Sequence, residues 1–280
     1  MEELIHHYTE IDTLALILKS KSIRFNRLDR VDDVSEANAF EELNLGGFFF
    51  VSSWTYNDSE SIPQWKMYTK NMSGVRISLP KDMFKYEPLE VPEKESIQVE
   101  KGTRSPIPFN KLFTDNYFIP PIFIGNEEQF IRQVQYKENF EELKNDAIDV
   151  TVNRDEGKKG EGRLKAEFND PTRMASLKSP EWSFQKEIRF TLFIFPSLPI
   201  KPFSSEYWRK LPSLAAQSLW EGRGPDMEHI DIGFSEEALN NIKVTLGPRC
   251  SKEDYVIVDS LLSKYSSEGK IAESNLRRHL

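Results

Sequence analysis

The apolar positions of the chain fall in short runs, some spaced like β-strands and others like α-helices. Runs rich in aromatic and β-branched residues predict strands at 4–8, 23–25, 48–52, 74–79, 130–136, 183–195 and 242–246. Helical spacing and capping residues predict helices through Leu14, Ile17 and Leu18, at 35–43, from Ser61 to Tyr68, at 139–149 and at 251–264. Strands and helices therefore alternate irregularly, and no internal repeat is present.

This irregular order predicts an α+β fold. We expect one domain over residues 1–280, with a strongly bent or split, mostly antiparallel sheet that is flanked by helices. Residues 153–172 combine charged side chains with glycines. Because such a segment has little apolar surface to anchor it, we expect a mobile loop or insertion there.

Composition narrows the class of protein. Of the 280 residues, 38% are hydrophobic, which is enough for a sizeable core, and the formal net charge of -8 argues against broad binding of a phosphate backbone. The single cysteine, Cys250, rules out an internal disulfide and a multi-thiolate metal site. The chain begins Met1-Glu2-Glu3 without the basic start of a signal peptide, and no run approaches the ~20 apolar residues of a membrane span. We therefore expect a cytoplasmic protein with no membrane partner.

Several catalytic motifs are absent from the sequence. There is no G-x-S-x-G, no H-E-x-x-H and no P-loop. The four histidines have no metal-ligand spacing with one another or with Cys250. Carboxylate chemistry and aromatic pockets remain as candidates.

Four groups of residues stand out by their order along the chain. They are His7-Tyr8-Thr9; Arg24-Phe25-Asn26-Arg27-Leu28 leading to Asp32-Asp33-Val34-Ser35-Glu36; Val51-Ser52-Ser53-Trp54 leading to Gln64-Trp65-Lys66-Met67-Tyr68; and Lys178 to Arg189. In this order they resemble the bacterial domain-of-unknown-function family numbered 2971, whose members read Y-T, N-D-P-x-E, F-S, M-W-x-x-Y and W-x-Y-E-x-E-x-R. The resemblance covers roughly residues 4–80 and 130–265. The chain departs from the pattern where Asp32 and Val34 replace Asn and Pro, and where Gln185 replaces the first glutamate.

A second resemblance adds chemistry. An opening His-x-Thr, a middle aromatic residue and a late strand glutamate are similar to the order in ADP-ribosyltransferases, and His7-Tyr8-Thr9 is similar to the branch that modifies nucleic acids. Those enzymes break the nicotinamide–ribose bond of NAD without a metal. A carboxylate stabilises the positive charge that grows on the ribose in the transition state.

This resemblance implies roles for individual residues. The catalytic candidates are Glu187, which would stabilise the ribosyl cation, His7 and Tyr68. The candidates for holding NAD are Tyr8, Thr9, Arg24, Ser53, Trp65 and Arg189, with Trp65 or Tyr68 stacking on nicotinamide and Arg24 contacting a phosphate. The implied protein is a toxin or antiphage effector that uses NAD as substrate, has a nucleic-acid or protein acceptor, and is paired with an antitoxin or defence-system partner.

Each candidate also has a purely structural interpretation. Glu187 and Arg189 fall on the polar side of an alternating strand, which would make them a surface ion pair. Thr9 would be the N-cap of the first helix, and the pair Trp65 and Tyr68 would be core packing. His7 would be an ordinary half-buried histidine.

Two other functions remain open. A metal-dependent nuclease or phosphohydrolase would use Asp32, Asp33, Glu36 and Glu187, and a nucleotide-sensing or interaction module would have no catalysis. The transferase hypothesis makes one geometric prediction, which is that His7, Arg24, Tyr68 and Glu187 line a single concave pocket.

Overall fold

The computed structural model describes residues 3–31, 45–92, 102–121, 130–138, 148–153, 163–168 and 170–278. Within these ranges the α-helices are α1 (Ile11–Ser20), α2 (Ile62–Tyr68), α3 (Phe109–Leu112), α4 (Ser205–Trp220), α5 (Glu236–Asn240) and α6 (Lys252–Tyr265). The strands are β1 (Leu4–Thr9), β2 (Ser22–Arg27), β3 (Phe49–Thr55), β4 (Val75–Pro80), β5 (Glu87–Pro88), β6 (Arg104–Ser105), β7 (Tyr117–Phe118), β8 (Ile131–Gln133), β9 (Gln135–Tyr136), β10 (Ile148–Asn153), β11 (Arg163–Phe168), β12 (Leu177–Lys178), β13 (Glu187–Phe193), β14 (Phe195–Pro196), β15 (His229–Gly233), β16 (Lys243–Leu246) and β17 (Lys270–Glu273). The predicted α+β class is confirmed.

A nine-stranded mixed sheet organises the fold. Its main path runs β15-β2-β3-β1-β4-β16-β17, with β13 paired to β3 and β8 paired to β13. The β16–β17 pair is parallel, whereas the other pairs of this sheet are antiparallel. None of the helices in the described ranges has the length and apolar character needed to cross a membrane.

The sheet forks along one edge of β3. There β2 is paired with Phe50 and Val51, whereas β1 is paired only with Thr55. Among the described strands none pairs with residues 52–54 on that edge, and the sheet opens between β1 and β2. The opposite edge of β3 is fully paired with β13 through seven register pairs.

The first helix shows how the chain turns from strand to helix. Strand β1 continues through Thr9, which is paired with Val75, so Thr9 is extended and Glu10 becomes the N-cap of α1. The predicted cap at Thr9 is therefore wrong. The predicted apolar face is confirmed, because Leu14, Ile17 and Leu18 are the buried residues of α1.

The long strand predicted at 183–195 is shorter than expected. Pro180–Gln185 form a 3₁₀ helix that begins at a proline, and Lys186 follows in the left-handed conformation with φ 44°. The strand can therefore start only at Glu187. All seven residues of β13 are buried, so the interpretation of its polar side as a solvent face is wrong.

The helix predicted at 139–149 and the loop predicted at 153–172 are both wrong where they fall on described residues. Residues 148–153 form β10 and pair antiparallel with β11, although 148 and 149 were predicted as helix and 163–168 as loop. Residues 171–176 form a largely buried 3₁₀ helix rather than part of an insertion. The remainder of the predicted helix at 139–149, the predicted helix at 35–43 and residues 154–162 lie outside the described residues.

The turn after β16 gives a prediction about packing. A Cβ at Gly247 would clash with the carbonyl oxygen of Met72, whereas a Cβ at Gly233 would have Lys21 O at 3.9 Å as its nearest neighbour. Gly247→Ala is therefore expected to lower the free energy of unfolding by about 1–3 kcal/mol, the usual cost of overpacking. Gly233→Ala is the matched control and is expected to be tolerated. Equal urea midpoints for the two variants would contradict this packing.

Candidate functional site

A pocket of about 320 Å³ lies at the fork of the sheet. It is lined by residues of β1, β2, β3 and α2, and by the segment that leads into β13. These residues are His6, His7, Tyr8, Thr9, Arg24, Asn26, Arg30, Val31, Val51, Ser52, Ser53, Trp54, Thr55, Gln64, Tyr68, Lys178, Gln185, Glu187 and Arg189. The four residues predicted to share a pocket, His7, Arg24, Tyr68 and Glu187, all line it, although they are far apart in sequence.

Glu187 is the carboxylate of a buried ion cluster. Arg189 holds it with two hydrogen bonds, from Nε to Oε1 at 2.5 Å and from Nη2 to Oε2 at 3.2 Å. Lys178 Nζ lies 3.2 Å from the same Oε2. All three residues are at most 5% exposed. Arg189 therefore binds Glu187 directly, and its Nη1 donates to Ala175 O at 2.8 Å.

The charge state of Glu187 follows from these contacts. Burial by itself raises the pKa of the carboxyl group, but the charges of Arg189 and Lys178 outweigh it. Hydrogen bonds from Arg189 and from the Ser53 side chain act in the same direction, and the pKa falls to about 2. Glu187 is therefore ionised throughout the physiological pH range.

His7 is held in one tautomer. Its Nδ1 lies 2.9 Å from the carbonyl oxygen of Ser53, which can only accept, so Nδ1 carries the proton. Burial lowers the pKa of His7, opposed by this hydrogen bond, so the ring is neutral at pH 7. Nε2 makes no hydrogen bond to any residue that the structure describes, and it presents a lone pair. The ring lies against Trp54, with centroids 5.2 Å apart.

Helix α2 forms another wall of the pocket. It begins as predicted, with Ser61 as N-cap and Pro63 in the first turn. Gln64 and Tyr68, four residues apart and so on one helix face, both line the pocket. Trp65 points away from it: the side chain is fully buried, packs edge-on against Tyr8 at 4.8 Å, and donates from Nε1 to Glu60. The predicted contact of Trp65 with nicotinamide is therefore wrong, because the residue belongs to the core.

Gln185 joins α2 to the ion cluster. Its Oε1 accepts from Lys178 Nζ at 2.9 Å, and its Nε2 donates to the Tyr68 hydroxyl at 2.7 Å. Its backbone oxygen accepts from Gln64 Nε2 at 2.9 Å. One buried residue thus links Tyr68 to Lys178, which in turn contacts Glu187.

The remaining predicted residues are also at the pocket. Tyr8 lines it and accepts at its hydroxyl from Ser61 N, and Thr9 lines it as the last residue of β1. Arg24 is about half exposed and is paired with Asp231 through Nε at 3.0 Å. Arg30, to which the sequence assigned no role, also lines the pocket and is paired similarly with Glu228 at 2.6 Å.

Charged side chains of both signs surround the pocket. The lining has four cations, Arg24, Arg30, Lys178 and Arg189, and one carboxylate, Glu187. Asp231 and Glu228 compensate the two exposed arginines. Lys178 and Arg189, the two buried cations of the lining, both contact Glu187.

The described residues contain no group of three or more His, Cys, Asp or Glu side chains placed to hold a metal ion. Asp32, Asp33 and Glu36, which the nuclease hypothesis needs, lie outside the described residues. Its fourth residue, Glu187, is bound to two cations in the ion cluster.

Sequence reasoning assigned no role to Gln64, Lys178, Gln185 or Trp54. The last three lie inside or beside the quoted segments, and the replacement of a family glutamate by Gln185 was a usable signal. A neutral amide there can bridge an ammonium and a phenol, whereas a second carboxylate would add charge beside Glu187. Gln64 also begins one of the quoted segments, but nothing in its spacing distinguishes it from a solvent-exposed helix residue.

Comparisons with known proteins bear on part of this site. No match to the chain was found among curated proteins or among solved structures. Residues 64–190 match the model of a family described as "Protein of unknown function (DUF2971)". That stretch includes Gln64, Tyr68, Lys178, Gln185, Glu187 and Arg189, and the match supports the family resemblance that their order suggested.

Proposed function

We propose that the pocket binds NAD and that the protein is an ADP-ribosyltransferase-like enzyme. The observation that carries the proposal is the convergence of an ionised carboxylate, a neutral histidine and a tyrosine in one pocket that is also lined by Arg24 and Arg30. NAD offers a diphosphate for the two exposed arginines, ribose hydroxyls for the histidine and a flat ring for the tyrosine.

The reaction needs no redox partner and its electrons balance. The bond between ribose C1′ and the nicotinamide nitrogen breaks, both bonding electrons leave with nicotinamide, and the ribose becomes an oxocarbenium ion. A nucleophile on the acceptor then bonds to C1′ and loses its proton to solvent or to a nearby base. Positive charge on the ribose is the species that an ionised carboxylate stabilises.

Glu187 suits this role because its charge is fixed. Arg189 and Lys178 keep it ionised despite complete burial, so no reorganisation is needed when positive charge develops. The same two cations attenuate the negative field of the carboxylate.

His7 and Tyr68 would orient the two ends of the reacting bond. Because His7 Nδ1 is committed to Ser53 O, only the Nε2 lone pair is available, and it accepts from a hydroxyl such as those of ribose. Tyr68 supplies the aromatic surface, since Trp65 is buried elsewhere. Arg24 and Arg30 then lie where the phosphates would leave the pocket.

The acceptor would be a nucleic acid or a protein, and the biological role would be that of a toxin or antiphage effector with a cognate partner. The net charge of -8 disfavours a wide nucleic-acid footprint. Acceptor contacts are therefore expected to be confined to the rim of the pocket.

A thermal-shift panel combined with a nicotinamide-release assay tests the proposal. NAD at a hundred times its dissociation constant is expected to add about 2.7 kcal/mol to the folded state, while ATP and divalent metals add much less. Purified protein with cell extract as acceptor is expected to release labelled nicotinamide, with or without EDTA. Stabilisation by Mg²⁺ or Mn²⁺ but not by NAD, together with an activity that EDTA abolishes, would favour the nuclease instead.

A further inference from the structure

The amide of Gln64 has one defined orientation. Its Nε2 donates to the backbone oxygen of Gln185 at 2.9 Å, within the buried wall of the pocket. The reverse orientation would set two acceptor oxygens against each other, so the assignment of nitrogen and oxygen is fixed by this contact. Gln64 is 4% exposed, which restricts further movement of the side chain.

The oxygen of the same amide lacks a partner. Gln64 Oε1 is buried and accepts no hydrogen bond from any described residue. Buried polar atoms are nearly always paired, so an orphan acceptor calls for a donor that arrives from elsewhere. Thr191 and Thr245 also bury an unpaired hydroxyl oxygen, but neither of them lines the pocket. Gln64 does line it, so a donor group of a ligand bound in the pocket would lie near the Gln64 side chain.

The place of Gln64 on α2 indicates which donor it would meet. Gln64 lies one helical turn before Tyr68, on the same face, and both are anchored to Gln185. A ring stacked on Tyr68 would therefore have its substituents within reach of Gln64. An acceptor at that position is complementary to N–H and repels a carboxylate.

We propose that Gln64 is a specificity-determining residue that accepts a hydrogen bond from the carboxamide N–H of the bound nicotinamide ring. The inference rests on the proposed function, because it assumes that NAD occupies the pocket. It goes further in naming the chemical group that the pocket selects, a neutral primary carboxamide rather than a carboxylate or a ketone.

The first arm of the test changes the ligand and leaves the protein intact. Dissociation constants are measured by calorimetry for NAD, for its acid analogue with a carboxylate in place of the carboxamide, and for its 3-acetylpyridine analogue with a methyl in place of NH₂. Wild-type protein is expected to bind NAD at least tenfold more tightly than either analogue, which is about 1.4 kcal/mol. Equal affinities for NAD and the acetylpyridine analogue would overturn the inference.

The second arm changes the protein. Gln64→Met keeps the length of the side chain and removes its acceptor, so the tenfold preference for NAD over the acetylpyridine analogue is expected to fall to about one. Thr191→Val is the matched control: it removes the orphan hydroxyl oxygen of β13, which does not line the pocket, and is expected to keep the preference. Because each variant is compared with itself on two ligands, a general loss of stability cancels from the ratio.

The outcomes separate the two proposals. If wild-type protein binds NAD and Gln64→Met retains the full preference, the role of Gln64 is wrong and the proposed function stands. If wild-type protein binds none of the three dinucleotides, the proposed function itself fails, and this inference fails with it. If Gln64→Met does not fold, equal affinities of the wild-type protein for NAD and the acetylpyridine analogue would still overturn the inference.

Discussion

Glu187→Gln is expected to lower the free energy of unfolding by about 3–5 kcal/mol, the usual cost of removing one partner from a buried ion pair. The substitution preserves the size of the side chain but removes the buried negative charge that Arg189 and Lys178 both contact. Urea unfolding followed by far-UV circular dichroism would measure the change. A surface-facing Glu187, as one interpretation of the sequence had it, would lose almost nothing.

The matched control is a glutamate whose ion pair is exposed. Glu206 lies 2.7 Å from Lys210 on the surface of α4, where solvent screens the interaction. Glu206→Gln is therefore expected to leave the urea midpoint almost unchanged. Similar midpoints for the two variants would show that the ion cluster of Glu187 does not contribute to stability.

The same cluster predicts how stability depends on pH. The pKa of Glu187 is lowered in the folded protein from 4.5 to about 2, so the unfolded chain takes up a proton first as the solution is acidified. The contribution is fully present above pH 4.5 and is lost as the pH falls towards 2. The shift corresponds to about 3 kcal/mol. Glu187→Gln should therefore lose less stability at pH 3 than at pH 7, relative to the wild type.

The strands that follow a clear local pattern could be predicted from the sequence. Strand β4 alternates and ends at a proline, β1 is a short apolar run, and α6 begins with Ser251 as its cap and ends within one residue of the predicted end. In these elements the local preference and the tertiary environment agree, so the pattern suffices.

Other elements depend on contacts that the local pattern does not contain. The hairpin of β10 and β11 is defined by pairing between 148–153 and 163–168, and only that pairing separates it from helix or loop. Helix α4 was not predicted because Pro212 lies inside it and because polar residues interrupt its apolar pattern. The start of β13 depends on the left-handed conformation of Lys186. This conformation is uncommon for lysine, so the sequence does not indicate it.

For the site, the order of motifs indicated which residues converge but not how they are paired. The sequence placed Glu187 and Arg189 on one side of a strand, and they do lie together in the pocket. Lys178 joins them through a parallel pairing of β12 with β9 and a 3₁₀ turn, neither of which has a sequence signature. Long-range charge pairing of this kind could not be predicted without the fold.

His7→Asn is expected to reduce nicotinamide release by about 100-fold or more, with little loss of stability. The Asn amide nitrogen takes a position close to that of Nδ1 and can still donate to Ser53 O. No group replaces Nε2, so the acceptor that orients the ribose is lost. His7→Gln is the matched variant, because its amide reaches the Nε2 position but not the Nδ1 position. His7→Gln should therefore be more active than His7→Asn but less stable.

The same pair of variants can be read out in cells. Expression of the wild-type chain in bacteria is expected to slow growth, because consumption of NAD or modification of an essential acceptor is harmful. His7→Asn is expected to relieve the effect at an unchanged soluble yield, which Glu187→Gln cannot test because the loss of a buried charge also reduces the amount of folded protein. If His7→Asn were folded, as toxic as the wild type and equally active in nicotinamide release, the Nε2 lone pair would have no part in the reaction. The neutral tautomer of His7 would then serve only to satisfy the carbonyl of Ser53 at the fork of the sheet.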